Sequence, residues 1–146
     1  MHQYKMTDLG PAKRFLGLEI GRSGDSITLG QQAYIEAILH RFNMQDANTV
    51  STPVCHKIRL DAIPANEKQA DIALYQSIVG SLMWAALGTR PDIAYAVAAL
   101  SRYTTNPYMT HMTAAKRVLR YLKGTSEAKI HFPSRGSTSA IVTNHP

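Results

Sequence analysis

Short β-rich runs give way to helical spacing about thirty residues into this chain. Phe15-Leu16-Gly17-Leu18-Glu19-Ile20 and Ser26-Ile27-Thr28-Leu29 read as strands, and Ser23-Gly24-Asp25 between them is a turn signal. The pair predicts a β-hairpin, preceded by a turn at Met6 to Pro11. From Gln31 to Met44 the spacing is helical, with Tyr34, Ile35, Ile38, Leu39 and Phe42 on one face. Residues 45–70 lose periodicity and carry Asn48, Thr49, Ser51, Thr52, Pro53, Pro64 and Asn66, which predicts a long irregular connection.

A second helix is predicted from Asp71 to Leu87. At about 100° per residue, Tyr75, Ile78, Val79, Leu82, Met83 and Ala86 fall on one apolar side. Gln76, Gly80 and Trp84 fall on an adjacent stripe, one turn apart. A mid-helix Gly costs roughly 1 kcal/mol relative to Ala, and close approach of another backbone is the usual reason for one. A Gln that hydrogen-bonds, a Gly that admits a neighbour and an indole that can lie flat make a docking stripe. Against that, a lone Trp in an apolar helix is more often core.

Thr89-Arg90-Pro91-Asp92 reads as a helix start, with Thr89 as cap, Pro91 in the first turn and Asp92 near the positive helix end. Arg90 could reach a phosphate or satisfy helix-end carbonyls. That helix runs to about Tyr103 with Ile93, Val97 and Leu100 inward. After a turn at Asn106-Pro107, Thr110 caps a last helix that Gly124 closes in the left-handed conformation. Ile130 to Phe132 suits a short strand, and 133–146 reads as a flexible polar tail. The expected fold is α+β and mainly helical: an N-terminal hairpin followed by three to four packed helices.

On the last helix Lys116, Arg120 and Lys123 form one stripe, with Arg117 beside it and Ala115, Val118, Leu119 and Leu122 on the other side. A basic stripe is usually a solvated face. Few acids lie near this one, and Lys and Arg so placed would contact phosphates without reading sequence. The formal charge of +6 points the same way, weakly. With 146 residues and 45% hydrophobic content the chain suits one domain with a core, or two small lobes.

The single cysteine allows no internal disulfide, which suits a reducing, intracellular compartment. No secretory signal is visible. The uncharged run 72–89 is interrupted by Gln76, Ser77, Gly80 and Ser81 and fits a buried helix better than a membrane span. The six histidines do not pair at ligand spacing, so no metal site is expected, and no phosphate-loop motif is present.

The Gln76-x3-Gly80-x3-Trp84 stripe resembles the first thumb helix of retroviral reverse transcriptases, which in that family tracks the minor groove of the template–primer duplex. The wider wording is similar to copia-type retrotransposon reverse transcriptases from about Tyr4 to Phe132. Tyr75-x3-Val79-Gly80-Ser81-Leu82-Met83 carries it, with Thr89-Arg90-Pro91-Asp92-Ile93-x-Tyr95-Ala96-Val97, Leu100-Ser101-Arg102, Asn106-Pro107-x3-His111 and Arg120-Tyr121-Leu122-Lys123-Gly124-Thr125.

The resemblance implies a primer grip at Phe15, Leu16, Gly17 and Glu19, where the residues alone suggest only a structural hairpin with a bulge at Gly17. It implies a grip-like unit with its following helix over 4–44, the connection over 45–70, and a thumb- and connection-like helical region over 71–132. Gln76, Gly80, Trp84, Lys116, Arg120 and Lys123 would then meet an RNA–DNA or DNA duplex.

The family's synthesis runs on magnesium held by aspartates, including an Asp-Asp pair. This chain contains no such pair, nor the acidic motif that opens the family's ribonuclease H domain. The expectation is therefore a C-terminal polymerase portion with no catalytic residue and no cofactor of its own, and with a full-length reverse transcriptase as a second candidate partner. Two other readings stand beside it: a helical protein–protein module, and a non-functional retrotransposon remnant.

Overall fold

Gly17 and Gly24 hold left-handed backbone, at φ +79° and +58°, and between them they shape the N-terminal strands. The structure, a computed structural model, describes residues 13–15, 17–133 and 141–143. Strand β1 (Arg14–Phe15) turns straight back onto β2 (Leu18–Ser23), with Phe15 opposite Leu18. The run from Phe15 to Ile20 is therefore not one strand. Gly17 supplies the positive φ of a tight turn in its middle, rather than a bulge. The expected hairpin follows, β2 pairing with β3 (Ser26–Gly30) through Ser23 opposite Ser26.

The hairpin proves to be part of a larger sheet. Strand β4 (Lys129–Phe132) pairs with β3, and β5 (Ile141–Thr143) pairs with β4. All five strands are antiparallel, in the order of the chain. Residues 141–143, expected in a flexible tail, are thus an ordered edge strand. The readings that fall on residues 1–12, on Leu16, on 134–140 and on 144–146 lie outside the described residues.

Between β3 and β4 the chain inserts its helices: α1 (Gln32–Arg41), α2 (Ile72–Gly88), a turn of 3-10 helix (Pro91–Ile93), α3 (Ala94–Ser101) and α4 (Met109–Gly124). Their facing sides make one core. It contains Ile35 and Leu39 of α1, Tyr75, Ile78 and Leu82 of α2, Val97 and Leu100 of α3, and Val118, Leu119 and Leu122 of α4. Helix α1 ends earlier than its hydrophobic spacing suggests, because Asn43 enters the left-handed region at φ 56°.

Helix α2 starts where expected, and other helix-end signals act differently. Asp71 caps α2, accepting from the Leu74 N–H at 3.0 Å, a contact of the kind that contributes about 1 kcal/mol. Thr89 caps nothing. It ends α2, fully buried, and both its N–H and its hydroxyl donate to Gln31 Oε1, at 3.1 and 2.8 Å. Helix α4 starts at Tyr108, ahead of Thr110, and the Tyr108 N–H donates to His111 Nδ1 at 3.0 Å. With Nδ1 accepting, Nε2 carries the proton and donates to the Leu60 carbonyl at 2.9 Å. Gly124 is simply the last helical residue and is not left-handed. A β-carbon there would sit 3.1 Å from Thr49 Cβ, so close packing accounts for the glycine.

The connection between α1 and α2 is irregular, as expected, and it is packed down. It runs antiparallel along α4 like a strap. Ala47 and Asn48 lie at Lys123 and Arg120, Thr52 at Arg117, and Leu60 at His111. Near its end the Met109 N–H donates to Lys68 O and the Ala70 N–H to Pro107 O, both at 2.9 Å. Val50, Val54 and Leu60 pack from the strap onto the core.

Candidate functional site

Helix α2 has one anchored side and one open side. Tyr75, Ile78, Val79, Leu82 and Ala85 are buried. Hydrogen bonds fix that side: the Tyr75 hydroxyl donates to Leu100 O at 2.6 Å, and the Tyr34 hydroxyl to Ser81 O at 2.9 Å. Burial pushes both phenols up from their ordinary pKa, Tyr75 strongly.

Gln76, Gly80 and Trp84 project from the other side, roughly opposite the buried arc at 100° per residue. Trp84 is 52% exposed, and Leu87, continuing the stripe, is 78% exposed. A β-carbon on Gly80 would meet nothing within 4 Å, so no packing inside this chain requires the glycine. The Gln76 Nε2 donates to Thr104 O at 2.8 Å, and Oε1 accepts no hydrogen bond among the described residues. No residue from Ile72 to Gly88 is charged. The structure thus brings the three stripe residues together on one open, neutral surface.

The basic residues of α4 have a different setting. Lys123 Nζ donates to Ala47 O at 2.7 Å, Arg120 Nε to Asn48 O at 2.6 Å, and Arg117 to both oxygens of Thr52. Lys116 makes no side-chain hydrogen bond among the described residues. All four are half-buried, and Arg117, Arg120 and Lys123 are bonded to the strap. Their partners are neutral carbonyls and a hydroxyl, so the charges persist while part of their donor capacity is used.

Of the grip-like residues, Gly17 is an exposed turn. Glu19 reaches from β2 to accept the Ala33 N–H at 2.9 Å, capping α1 where Gln31 makes no cap. The Phe15 side chain and Leu16 lie outside the described residues.

Two clusters escaped the sequence reading. Arg90 is fully buried. Its guanidinium clamps Asp92 through Nε at 3.1 Å and Nη2 at 2.8 Å, donates to Thr125 O at 2.8 Å and Thr125 Oγ1, and lies over the Tyr121 ring. The Tyr121 hydroxyl completes the network on Asp92 at 2.7 Å. Of the two roles open to Arg90, it performs the second, satisfying the end of α4. Burial opposes the charged form of Asp92, but hydrogen bonds from Arg90 and Tyr121 and the Arg90 charge outweigh it, and the carboxyl sits below its usual range. Burial, then the Asp92 carboxylate, push the Tyr121 phenol up.

The second cluster is Gln31 against Gly88, where a β-carbon would fall 2.6 Å from the buried amide. No local pattern ties Gln31 to Thr89 or Arg90 to Thr125, partners 58 and 35 residues apart.

Among the described residues no three His, Cys, Asp or Glu side chains are grouped to hold a metal, and no helix is long and apolar enough to cross a membrane. A cleft of about 490 Å³ opens between the strap, α3 and α4.

The family model described as reverse transcriptase (RNA-dependent DNA polymerase) matches residues 1–56. The chain is 45% identical, over 84% of its length, to the retrovirus-related Pol polyprotein from transposon TNT 1-94 of Nicotiana tabacum, and spans 10% of that protein. It is 41% identical, over 87% of its length, to the Pol polyprotein from transposon RE1 of Arabidopsis thaliana, spanning 8% of it. It is also 38% identical, over 84% of its length, to an uncharacterized mitochondrial protein of Arabidopsis thaliana, spanning 50% of that one. No solved structure matches. With the motifs from Tyr75 to Thr125 set on a single helical frame, the chain belongs to the reverse transcriptase region of copia-type retrotransposons.

Proposed function

We propose that the chain holds a template–primer duplex on the open side of α2 and performs no synthesis with its own residues. The observation that carries this reading is Gly80. It sits in the middle of a long helix, costs roughly 1 kcal/mol relative to alanine, and faces open space inside this chain. A surface that a second molecule's backbone must approach closely accounts for that cost. The flanking residues suit a duplex groove: Trp84 offers a flat apolar face to sugar edges, and the Gln76 Oε1 an acceptor.

Lys116, and the unused donors of Arg120 and Lys123, would meet phosphates and position the duplex without reading it. RNA-directed synthesis, with the magnesium it needs, is the reaction this holding role would serve in the parent family.

A labelled RNA–DNA hybrid titrated against the full chain tests the proposal. Gly80→Leu and Trp84→Ala should each weaken binding at least about fivefold, by loss of a contact worth 1 kcal/mol or more, with thermal stability held or raised. The parent chain should extend no primer with magnesium or manganese. Parent-like affinity in both variants sinks the α2 assignment.

A protein partner is the second reading, and the neutrality of α2 from Ile72 to Gly88 favours it. Capture of a full-length reverse transcriptase through Trp84, with no affinity for duplex, would establish that reading instead.

A further inference from the structure

We propose that the cleft between the strap, α3 and α4 is a second nucleic-acid site, one that takes a single unpaired nucleotide. It uses none of the α2 residues and rests on the reading above only for the class of partner. The cavity of about 490 Å³ lies within the roughly 300–1,000 Å³ of small-ligand sites.

Its chemistry is divided along α3. Tyr95, 80% exposed, stands at one end, and Arg102 at the other, two turns or about 10 Å further on. Ala96, Ala99 and Val118 form a shallow apolar floor. A planar base fits that floor and stacks on Tyr95, and the arginine end lies within a nucleotide's reach of it.

The charge around the cleft selects an anion. Arg59, Arg102 and Arg117 line it against one carboxylate, Asp61, which already pairs with Arg59 at 3.2 Å. Arg117 spends two donors on Thr52. Arg102 is exposed and makes no side-chain hydrogen bond among the described residues. A phosphate alone would leave the apolar floor bare, and a neutral aromatic would leave Arg102 unanswered. A nucleoside phosphate satisfies both. An acidic peptide is the competing occupant, but a short trough with the exposed Tyr95 ring at one end suits one flat group better than an extended chain.

Fluorescence anisotropy of the full chain, with a short labelled single-stranded oligonucleotide and a blunt hybrid duplex in parallel, tests the site. Tyr95→Ala and Arg102→Gln alter exposed side chains, so melting temperature should stay at the parent's value. Each should weaken single-strand binding at least about fivefold, the lower bound for loss of one stacked base, and leave duplex binding alone. Trp84→Ala should do the reverse.

Competition separates the sources. A nucleoside monophosphate that displaces the oligonucleotide, where inorganic phosphate and the free nucleoside do not, assigns the site to the nucleotide itself. Displacement by oligonucleotides alone assigns it to a nucleotide within a strand. Parent-like single-strand affinity in both variants, no single-strand binding by the parent chain, or displacement by an acidic peptide but by no nucleotide overturns the proposal. A parent chain that binds the single strand but no duplex counts against the α2 reading only.

Discussion

Gly80 and Gly88 lie on the same helix, yet alanine should have opposite effects at the two. At Gly80 an added β-carbon meets nothing within 4 Å. Only the backbone term remains, so Gly80→Ala should stabilise by about 1 kcal/mol, which at this chain length raises Tm by roughly 2–4 °C. At Gly88 the β-carbon would fall 2.6 Å from both Nε2 and Oε1 of Gln31. That amide is fully buried and is the acceptor for both donors of Thr89. Moving it strands the buried Thr89 hydroxyl, at about 1–3 kcal/mol, while the Thr89 N–H keeps the Ala85 carbonyl at 3.2 Å. The helix-propensity gain is smaller at a C-terminal position and offsets only part of this. Gly88→Ala should therefore lose about 1–2 kcal/mol on balance. Denaturant melts measure both, and repeating Gly88→Ala in a Gln31→Ala background isolates the clash, since the penalty should shrink once the amide is gone. A Gly88→Ala protein as stable as the parent, or a Gly80→Ala protein with a lowered Tm, would refute the reasoning.

Arg90→Met should destabilise by about 3–5 kcal/mol, because it leaves Asp92 and the end of α4 without their buried partner; a urea midpoint close to the parent's would contradict this. The Asp92 carboxyl titrates lower in the fold than in the unfolded chain, so its contribution is present above the ordinary carboxylate pKa of about 4. It is lost as pH falls through the folded value. Asp92→Asn should accordingly be less stable than the parent at neutral pH, and urea melts from pH 6 to 2 should show the gap closing below about pH 4. Neutralising Lys116 and Arg120 together should flatten the salt dependence of log K for duplex by roughly 0.9 per lost phosphate contact, whereas Trp84→Ala should lower affinity with the slope unchanged. The Arg120 change should also cost about 1 kcal/mol of stability, through its bond to Asn48 O.

The helices and their inward faces were legible because each is written in local spacing. Ile35, Ile38 and Leu39, then Tyr75, Ile78 and Leu82, then Val97 and Leu100 are buried as their periodicity requires. What escaped was non-local. Nothing in Lys129 to Phe132 specifies β3 as its partner, so a five-stranded sheet read as a hairpin and a lone strand. Thr89 read as a helix cap because its true partner, Gln31, lies 58 residues away. Gly124 looked like a left-handed stop, and it is a contact with Thr49 from a segment that reads as mere connection. The α2 stripe was legible for the opposite reason. Gln76, Gly80 and Trp84 share one face by spacing alone, whatever packs behind them.

The motifs that mark the family most distinctly fall into two physical groups. Arg90, Asp92, His111, Arg120 and Gly124 spend their polar or steric character inside the chain, on Thr125, Leu60, Asn48 and Thr49. They clamp the far end of α2 to the end of α4 and fasten the strap along it. Gln76, Gly80 and Trp84 spend less inside; one amide bond from Gln76 to Thr104 is their side-chain hydrogen bonding among the described residues, and Trp84 is 52% exposed. Within the first group, Arg90, Asp92 and His111 would tolerate substitution poorly even if the chain bound nothing, because Arg90 and His111 are buried and hydrogen-bonded and Asp92 pairs with Arg90, whereas Arg120 and Gly124 meet the exposed Asn48 and Thr49. In the proposed function, only the second group ties its cost to a partner outside the chain. Stability measurements on Arg90 therefore report on the frame, and binding measurements on Gly80 and Trp84 report on its use. A variant of Arg90 that lost duplex affinity would say nothing about phosphate contact unless its melting temperature had been kept.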